Sequence, residues 1–393
     1  MVRNRERANF LLSLKFLKII NFLQTGNTML IDIATGLPPY KVSQAKAALE
    51  LKKKMADRPA VGRLIDTAAY HSGIENRYIV IPDGDDNSNE KFYSHAHNPI
   101  KPGTKARMDE YERWSKQLSE KAVGDLLNKN DFDPSAIKRL ITVSCTGFFA
   151  PGLDYYLMKT FNILCDAQRT NIGFMGCAAA ITGFTSILES LNQLKEDHHS
   201  AALMVSVELC SLHLQTEPSR DNILSNIIFA DGCAAALFSN SPEYRQPGKL
   251  DLLETHTTLF DNSAEYMGWK IGNFGFEMML SSELPNIILE QAVPALISIL
   301  NKAGIEKQSV SYWALHPGGR AILDAMQMGL KLSDEQMESS RYVLKNFGNM
   351  SSATILYVIK NIIDTRKIRK DELLCAVAFG PGLTMEVAIL KGI

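Results

Sequence analysis

One order of segments occurs twice in this chain, and that repetition restricts its fold more than any other feature. In the first copy, Arg139-Leu-Ile-Thr-Val-Ser144 is β-branched and ends at a Thr-Gly turn. The alanine-rich run after Cys177 has the pattern of a buried helix. Ala201-Ala-Leu-Met-Val-Ser-Val207 is an apolar run bounded by polar residues, as in an interior strand. In the second copy, Ser311-Tyr-Trp-Ala-Leu315 reads as a strand, followed by His-Pro-Gly-Gly and a helix from Ala321. Asn346-Phe-Gly-Asn-Met-Ser-Ser352 opens another helix, and Leu373-Leu-Cys-Ala-Val-Ala378 is the interior strand that follows it. Strands alternating with helices predict an α/β architecture. Laid over one another, Phe174-Met-Gly-Cys177 falls on Phe347-Gly-Asn-Met350, which predicts an internal duplication. The expectation is two pseudo-symmetric halves, residues 29–245 and 246–393, each with a mixed sheet between helices. They join in the polar, proline-containing segment Ser239 to Gly248. Residues 82–108, full of Asp, Asn, His and Pro, predict an irregular surface excursion.

At 393 residues, with 46% hydrophobic and 22% charged residues, the chain suits a soluble globular protein with two core-forming units. A formal net charge of −1 and no basic–aromatic interleaving argue against a nucleic-acid partner. Cysteines stand at Cys145, Cys165, Cys177, Cys210, Cys233 and Cys375, with no Cys-x-x-Cys or Cys/His ligand spacing. That excludes a zinc-site pattern and a disulfide framework, and points to a reducing, cytoplasmic setting. Residues 1–28 stand apart. Met1 to Asn9 is arginine-rich, and Phe10 to Leu23 is apolar but broken by Lys15, Lys18 and Asn21. A signal peptide lacks its cleavage site here, and a membrane span would be too short. An amphipathic basic helix could touch an anionic membrane. The favoured reading is an upstream extension, with the folded part beginning at Met29.

Three motifs carry chemistry. Gly173-Phe-Met-Gly-Cys177 puts a thiol where a strand-like run turns into a helix, whose amides and dipole favour a thiolate. A small buried cysteine filling a core is the plain alternative. Leu315-His316-Pro-Gly-Gly319 puts an imidazole at a strand end facing a cleft, where it could also simply cap the strand. Gly348-Asn349-Met-Ser-Ser352 puts a carboxamide before a helix start, an ordinary place for an N-cap. Capping and donating to an oxyanion are compatible. Together the three groups can hold an acyl group on sulfur while donors grip a developing oxyanion. Acyl transfer with carbon–carbon bond formation is predicted, rather than hydrolysis. His71, His95, His97, His198, His199, His213 and His256 lack such a setting and read as surface or structural. Phe379-Gly-Pro-Gly382 reads as a turn, and Phe229 and Phe276 as core or cavity wall.

On Gly176-Cys177 with its helix, His316-Pro-Gly-Gly, Gly348-Asn-Met-Ser-Ser-Ala353 and Phe379-Gly-Pro-Gly-Leu-Thr384, the chain resembles the type III polyketide synthases, the chalcone and stilbene synthase-like enzymes. The resemblance runs from about Met29 to the C-terminus. It implies a thiolase-like fold in αβαβα layers and an acyltransferase using acyl-CoA and malonyl-CoA. Cys177 would accept the starter acyl group, and His316 would hold its thiolate as an ion pair and later donate to the thioester oxygen. Asn349 would join His316 in binding the enolate formed when malonyl-CoA loses carbon dioxide. Repeated condensation and cyclisation to a pyrone, resorcinol or phloroglucinol would follow, with no metal and no bound organic cofactor. The resemblance makes Phe229 and Phe276 gatekeepers between tunnel and cavity. Cys145, Thr146, His213 and Ser351 become cavity wall, and Phe379, Gly380, Pro381 and Gly382 the loop shaping the cyclisation chamber. It further implies a homodimer in which the loop around Ala150 reaches the neighbour's cavity.

Departures accompany the match. Ala150 replaces a larger methionine, Ala378 the loop's first glycine, and Cys145 and His213 replace threonines of plant members. The stretch His71-Ser-Gly-Ile-Glu-Asn-Arg77 is poorer in positive charge than its plant counterpart, leaving the coenzyme A phosphate contacts unassigned. These changes look microbial rather than plant-like. Initiating ketoacyl-ACP synthases, the rival within the fold, continue their histidine motif differently. A papain-like protease would need Cys-Gly-Ser-Cys-Trp surroundings, and a silent scaffold would not need the intact trio.

Overall fold

The structure, a computed structural model, describes residues 28–55, 59–84, 92–93, 101–194, 199–246 and 249–393. Residues 1–27 of the extension, most of the 85–100 stretch of the excursion, and His95, His97 and His198 lie outside the described residues. In chain order the strands are β1 (Met29–Gly36), β2 (Tyr40–Ser43), β3 (Asn76–Ile79), β4 (Ile137–Ser144), β5 (Gln168–Gly173), β6 (Ala201–Leu209) and β7 (Asp231–Ser239). They continue with β8 (Leu250–Leu259), β9 (Met267–Gly272), β10 (Gly275–Leu280), β11 (Val310–Leu315), β12 (Leu373–Gly380) and β13 (Thr384–Gly392).

A mixed sheet runs β11-β12-β13-β8-β1-β7-β6-β4-β5. The two halves repeat each other within it. Parallel β4 and β6 are followed by antiparallel β7 and β1, and parallel β11 and β12 by antiparallel β13 and β8. The half-sheets are not separate: Met29 lies opposite Asp251 and Leu30 opposite Leu250, which joins them along β1 and β8.

Strand alternation assigns the layers. Ala234, Ala236 and Phe238 of β7, with Leu374, Ala376 and Ala378 of β12, face one shared core together with helices Ala179–Gln193 and Thr354–Thr365. Their neighbours Cys233, Ala235 and Leu237 face helices Thr104–Lys129 and Leu153–Thr160. Cys375, Val377 and Phe379 face helices Val293–Lys302 and Arg320–Leu330. Two central helices between the half-sheets and helices outside both give the expected αβαβα order. Alanines on the inner faces let the central helices approach closely, and Phe184 locks one of them edge-on to Phe238 with ring centres 5.0 Å apart.

The internal repeat is offset by two residues from the overlay expected from sequence. The central helices begin at Ala179 and Thr354, so Cys177 corresponds to Ser352 rather than to Met350. Gly176 and Ser351 then coincide, and both have positive φ, 65° and 46°. A Cβ on Gly176 would lie 2.2 Å from Pro381 Cδ, so the turn before the thiol has room only for glycine.

Candidate active site

Cys177 lies in a short turn, Gly176–Ala178, that feeds directly into the central helix. Its Sγ is 3.7 Å from Ser351 Oγ and 3.9 Å from Asn349 Nδ2. His316 follows β11, where its backbone N–H donates to Val377 O at 2.8 Å and its C=O accepts from Gly318 N–H at 2.9 Å. Asn349 is held by its backbone from both sides: its N–H donates to Ile228 O at 3.0 Å, and Ala230 N–H donates to its C=O at 2.8 Å. The side-chain Oδ1 accepts from Ser351 N–H at 2.8 Å and from Thr354 Oγ1 at 3.4 Å. Nδ2 donates to Gly318 O at 3.3 Å and faces the sulfur. Oδ1 lies equally close to the sulfur, at 3.9 Å, so the carboxamide presents both an acceptor and a donor to Cys177. Met350 and Ala353 take the N-cap positions, so Asn349 is not the expected N-cap; its side chain instead ties down the turn at Ser351.

Burial pushes the Cys177 thiol up to about 12, against the lowering effect of Ser351. Burial also lowers the His316 imidazole to about 3. Both shifts come chiefly from burial, which disfavours charge on either group until the two exchange a proton. Among the described residues neither ring nitrogen of His316 has a hydrogen-bond partner. A buried polar group left that way costs about 1–3 kcal/mol. The ring is thus primed to accept whichever donor or charge enters.

Cys177, His316 and Asn349 line one cavity of about 280 Å³ with Phe229, Met267, Met278 and Phe379. Its solvent-facing residues include His71, Ser282, Arg220 and Arg320. A niche of about 30 Å³ adjoins Cys177 and is lined by Cys145, Thr146, Ser351, Pro381, Cys210 and Trp269. A further cavity of about 110 Å³ lies among Leu51, Ile79, Cys210, His213 and Phe276. Phe229 and Met278 line all three and form the wall between them.

Two expected cavity residues line the neighbouring cavity and not the chamber of Cys177. Phe276 is fully buried, with its ring stacked on His213 at 4.2 Å, and it lines the 110 Å³ cavity without reaching the chamber of Cys177. Met278, two residues further on the same face of β10, takes the junction instead. His213 also stands back from the thiol. Its Nε2 meets Thr146 O at 2.7 Å, its Nδ1 accepts from Phe276 N–H at 2.9 Å, and burial lowers it to about 3. It is a neutral bracket between two loops. Of the Phe379–Gly382 loop, Phe379 and Pro381 line the cavities, whereas Gly380 and Gly382 line none of the three. Arg77, the one Lys or Arg in the stretch His71 to Arg77, is buried and bonds to backbone carbonyls of Asn226 and Phe229.

Beneath the niche lies a group the sequence reading missed. Glu208, fully buried in β6, accepts from Cys145 N–H at 3.0 Å and Thr146 Oγ1 at 2.8 Å, and also from Ser352 Oγ. Burial raises its carboxyl, and these donors oppose the rise. The bond to Ser352 ties the two halves together under Cys177. An acid at the end of an otherwise apolar strand was the available signal. Cys210, Trp269 and Met267 were missed as well, each sitting in a stretch without motif character.

Residues 251–393 match the family model described as chalcone and stilbene synthases, C-terminal domain, and residues 89–267 match that of FAE1/type III polyketide synthase-like protein. A putative chalcone synthase of Bacillus subtilis (strain 168) is 29% identical over 375 residues, covering 92% of this chain and 98% of that protein. Polyketide synthase 37 of Dictyostelium discoideum is 28% identical over 371 residues, 93% of this chain, which spans 12% of that much longer protein. Among solved structures, PKS-I from the brown alga Ectocarpus siliculosus superposes with a TM-score of 0.85 at 28% identity, covering 93% of this chain and 98% of that one.

Proposed function

This chain belongs to the type III polyketide synthase family of acyltransferases, and on that premise we propose that it extends a Cys177-bound acyl starter with malonyl-CoA and cyclises the product to a pyrone, resorcinol or phloroglucinol. The observation that supports this most is the pairing of Cys177 with an Asn349 whose Nδ2 faces it, across the two halves and beside His316.

In the loading step, the Cys177 proton passes to His316 and Sγ attacks the starter thioester carbonyl. The protonated ring donates to the thioester oxygen as negative charge develops there. Collapse breaks the bond to coenzyme A, which leaves as the thiol with that proton. Malonyl-CoA then loses carbon dioxide, and the electron pair of the broken C–C bond becomes an enolate. Its oxygen meets the donors of His316 and Asn349 Nδ2. The enolate carbon attacks the Cys177 thioester, which forms the new C–C bond and frees the sulfur for another round. Decarboxylation itself supplies the carbanion, so this chemistry calls for no metal or organic cofactor.

Arg220 and Arg320, on the solvent side of the same cavity, are suited to the coenzyme A phosphates. The 280 Å³ and 110 Å³ cavities meet at Phe229 and Met278, offering the starter chain apolar space beyond the thiol. For the homodimer, β5 is the outermost strand of the sheet, and Phe148, Phe174 and Met175 near it are exposed. We place the subunit contact there, beside the Ala150 loop. The free cysteines among the described residues suit a cytoplasmic enzyme.

Incubation with radiolabelled malonyl-CoA and a panel of acyl-CoA starters tests the assignment. Cyclic labelled products are expected. A single condensation that requires acyl carrier protein would favour an initiating ketoacyl synthase, and free acid alone a hydrolase.

The titration behaviour gives a second check. Burial, with the Glu208 carboxylate adding to it, pushes the thiol up to about 12, so the proposed nucleophile depends on a proton moving to His316. Thiolate forms as pH rises, and removing the imidazole removes what favours the anion, so the midpoint must move upward. If the proposed transfer to His316 operates, it lowers the thiol from that raised value, and iodoacetamide alkylation of Cys177 should have its midpoint below the ordinary thiol value of about 8.5. In His316→Gln the midpoint should rise by at least about two pH units. Equal midpoints in the two proteins would deny His316 this role.

A further inference from the structure

We propose that Arg77 is a positioning residue for Asn349, and through it for the decarboxylation step, an inference that rests on the function proposed above. Arg77 is buried on β3, and its Nη1 donates to Asn226 O at 2.6 Å and to Phe229 O at 2.7 Å. These carbonyls belong to the end of helix Arg220–Ile228 and the residue after it. A helix leaves its final C=O groups without intrahelical partners, and a cation is favoured at that end.

The other carbonyls of this series are also taken. Gln44 Nε2 donates to Ile227 O at 2.9 Å, and the backbone N–H of Asn349 donates to Ile228 O at 3.0 Å. Asn349 therefore hangs from a helix end that Arg77 holds on both sides. The arginine reaches Asn349 from a second direction too. Gly348 has φ 70°, and a Cβ there would lie 3.0 Å from Arg77 Cγ and 3.1 Å from its Cδ, so the stem packs against the residue preceding Asn349. One residue from Asn76, where β3 starts, Glu75 N–H donates to Lys345 O at 2.7 Å, near the end of helix Asp334–Phe347. β3 thus braces both segments that meet at the carboxamide.

The guanidinium makes no salt bridge among the described residues, and its Nε has no partner there. Burial lowers it to about 10 with Asp231 opposing, so it remains charged at neutral pH. A buried cation whose nearby carboxylate makes no direct ion pair with it is costly to keep unless its donors are used. Here they are used on the peptide groups that set where Nδ2 of Asn349 points. No atom of Arg77 is required by the loading step, in which only His316 and Cys177 act.

The test compares two half-reactions in the full chain: acylation of Cys177 by a starter acyl-CoA, read by intact-protein mass, and carbon dioxide release from labelled malonyl-CoA. Arg77→Met keeps a long stem and removes the donors. It should slow carbon dioxide release about 30- to 100-fold, because displacing a catalytic group by about 1 Å can cost that much, while acylation stays within about threefold of wild type. Arg77→Lys should recover part of the loss, leaving about a tenfold deficit, since one ammonium cannot reproduce the planar fork. Parallel loss of both half-reactions, or loss of neither, overturns the inference. If Arg77→Met does not fold, Arg77→Lys decides alone: a selective deficit supports the inference and an unchanged ratio of the two rates overturns it. A wild-type protein that neither acylates at Cys177 nor releases carbon dioxide would instead sink the proposed function.

Discussion

Cys177→Ala should abolish covalent acyl loading, leaving the intact mass unchanged after incubation with any acyl-CoA that labels the wild type. No neighbouring thiol is set to replace it. Cys145 lines the adjoining niche, but its Sγ already accepts from Gly176 N–H at 3.0 Å, and its backbone N–H is bound to Glu208. Burial and the nearby Glu208 carboxyl both push its thiol well above the ordinary value, so a thiolate there is disfavoured. Cys210 is raised in the same way, again chiefly by burial. The niche holding Cys145 has no imidazole in its lining, and the His213 ring that shares a cavity with Cys210 has both nitrogens taken. Acylation that persists in Cys177→Ala, mapped to another side chain, would remove Cys177 as the nucleophile.

Asn349→Ala should leave loading nearly intact while slowing carbon dioxide release from malonyl-CoA by about 10²–10³-fold, the usual consequence of deleting one oxyanion donor. The selectivity follows from the division of labour in the chamber. Loading needs a proton acceptor and a donor to the thioester oxygen, which one imidazole supplies in sequence. In the proposed mechanism the enolate takes a second donor, which Nδ2 of Asn349, 3.9 Å from the sulfur, can supply. The substitution also removes Oδ1 from Ser351 N–H and Thr354 Oγ1, so part of any effect is loss of the tie on that turn, worth about 1 kcal/mol. Melting temperature separates the two: a large drop with parallel loss of both half-reactions would make Asn349 a structural tie only. Unchanged carbon dioxide release would remove it from the site altogether.

Cys177, His316 and Asn349 were legible because each is framed by residues whose only clear use is close approach or a forced turn. The α/β class was legible in the alternation of strands and helices, but the αβαβα order came from the resemblance, because β7 and β12 are apolar on both faces and do not show in sequence which side meets which core. Other features were hidden for identifiable reasons. Phe276 and Met278 lie on the same face of one strand, so pattern could not say which of them the strand carries to the chamber. The repeat was overlaid two residues out of register because Phe and Gly recur by composition, while the true match pairs Gly176 with Ser351 through backbone conformation. Arg77 drew no role from sequence, which records the charge but not the inward turn of the stem. Glu208 was masked by the apolar run around it, and cavity size belongs to the packing of segments far apart in the chain.

The pairing of Met29 with Asp251 and Leu30 with Leu250 makes a single plate of what could have been two hinged leaves. Thiol and carboxamide come from different halves, so a clamshell motion that parted them would first have to rip that seam. Rotation of Phe229 and Met278, which border all three cavities, would open a path without it.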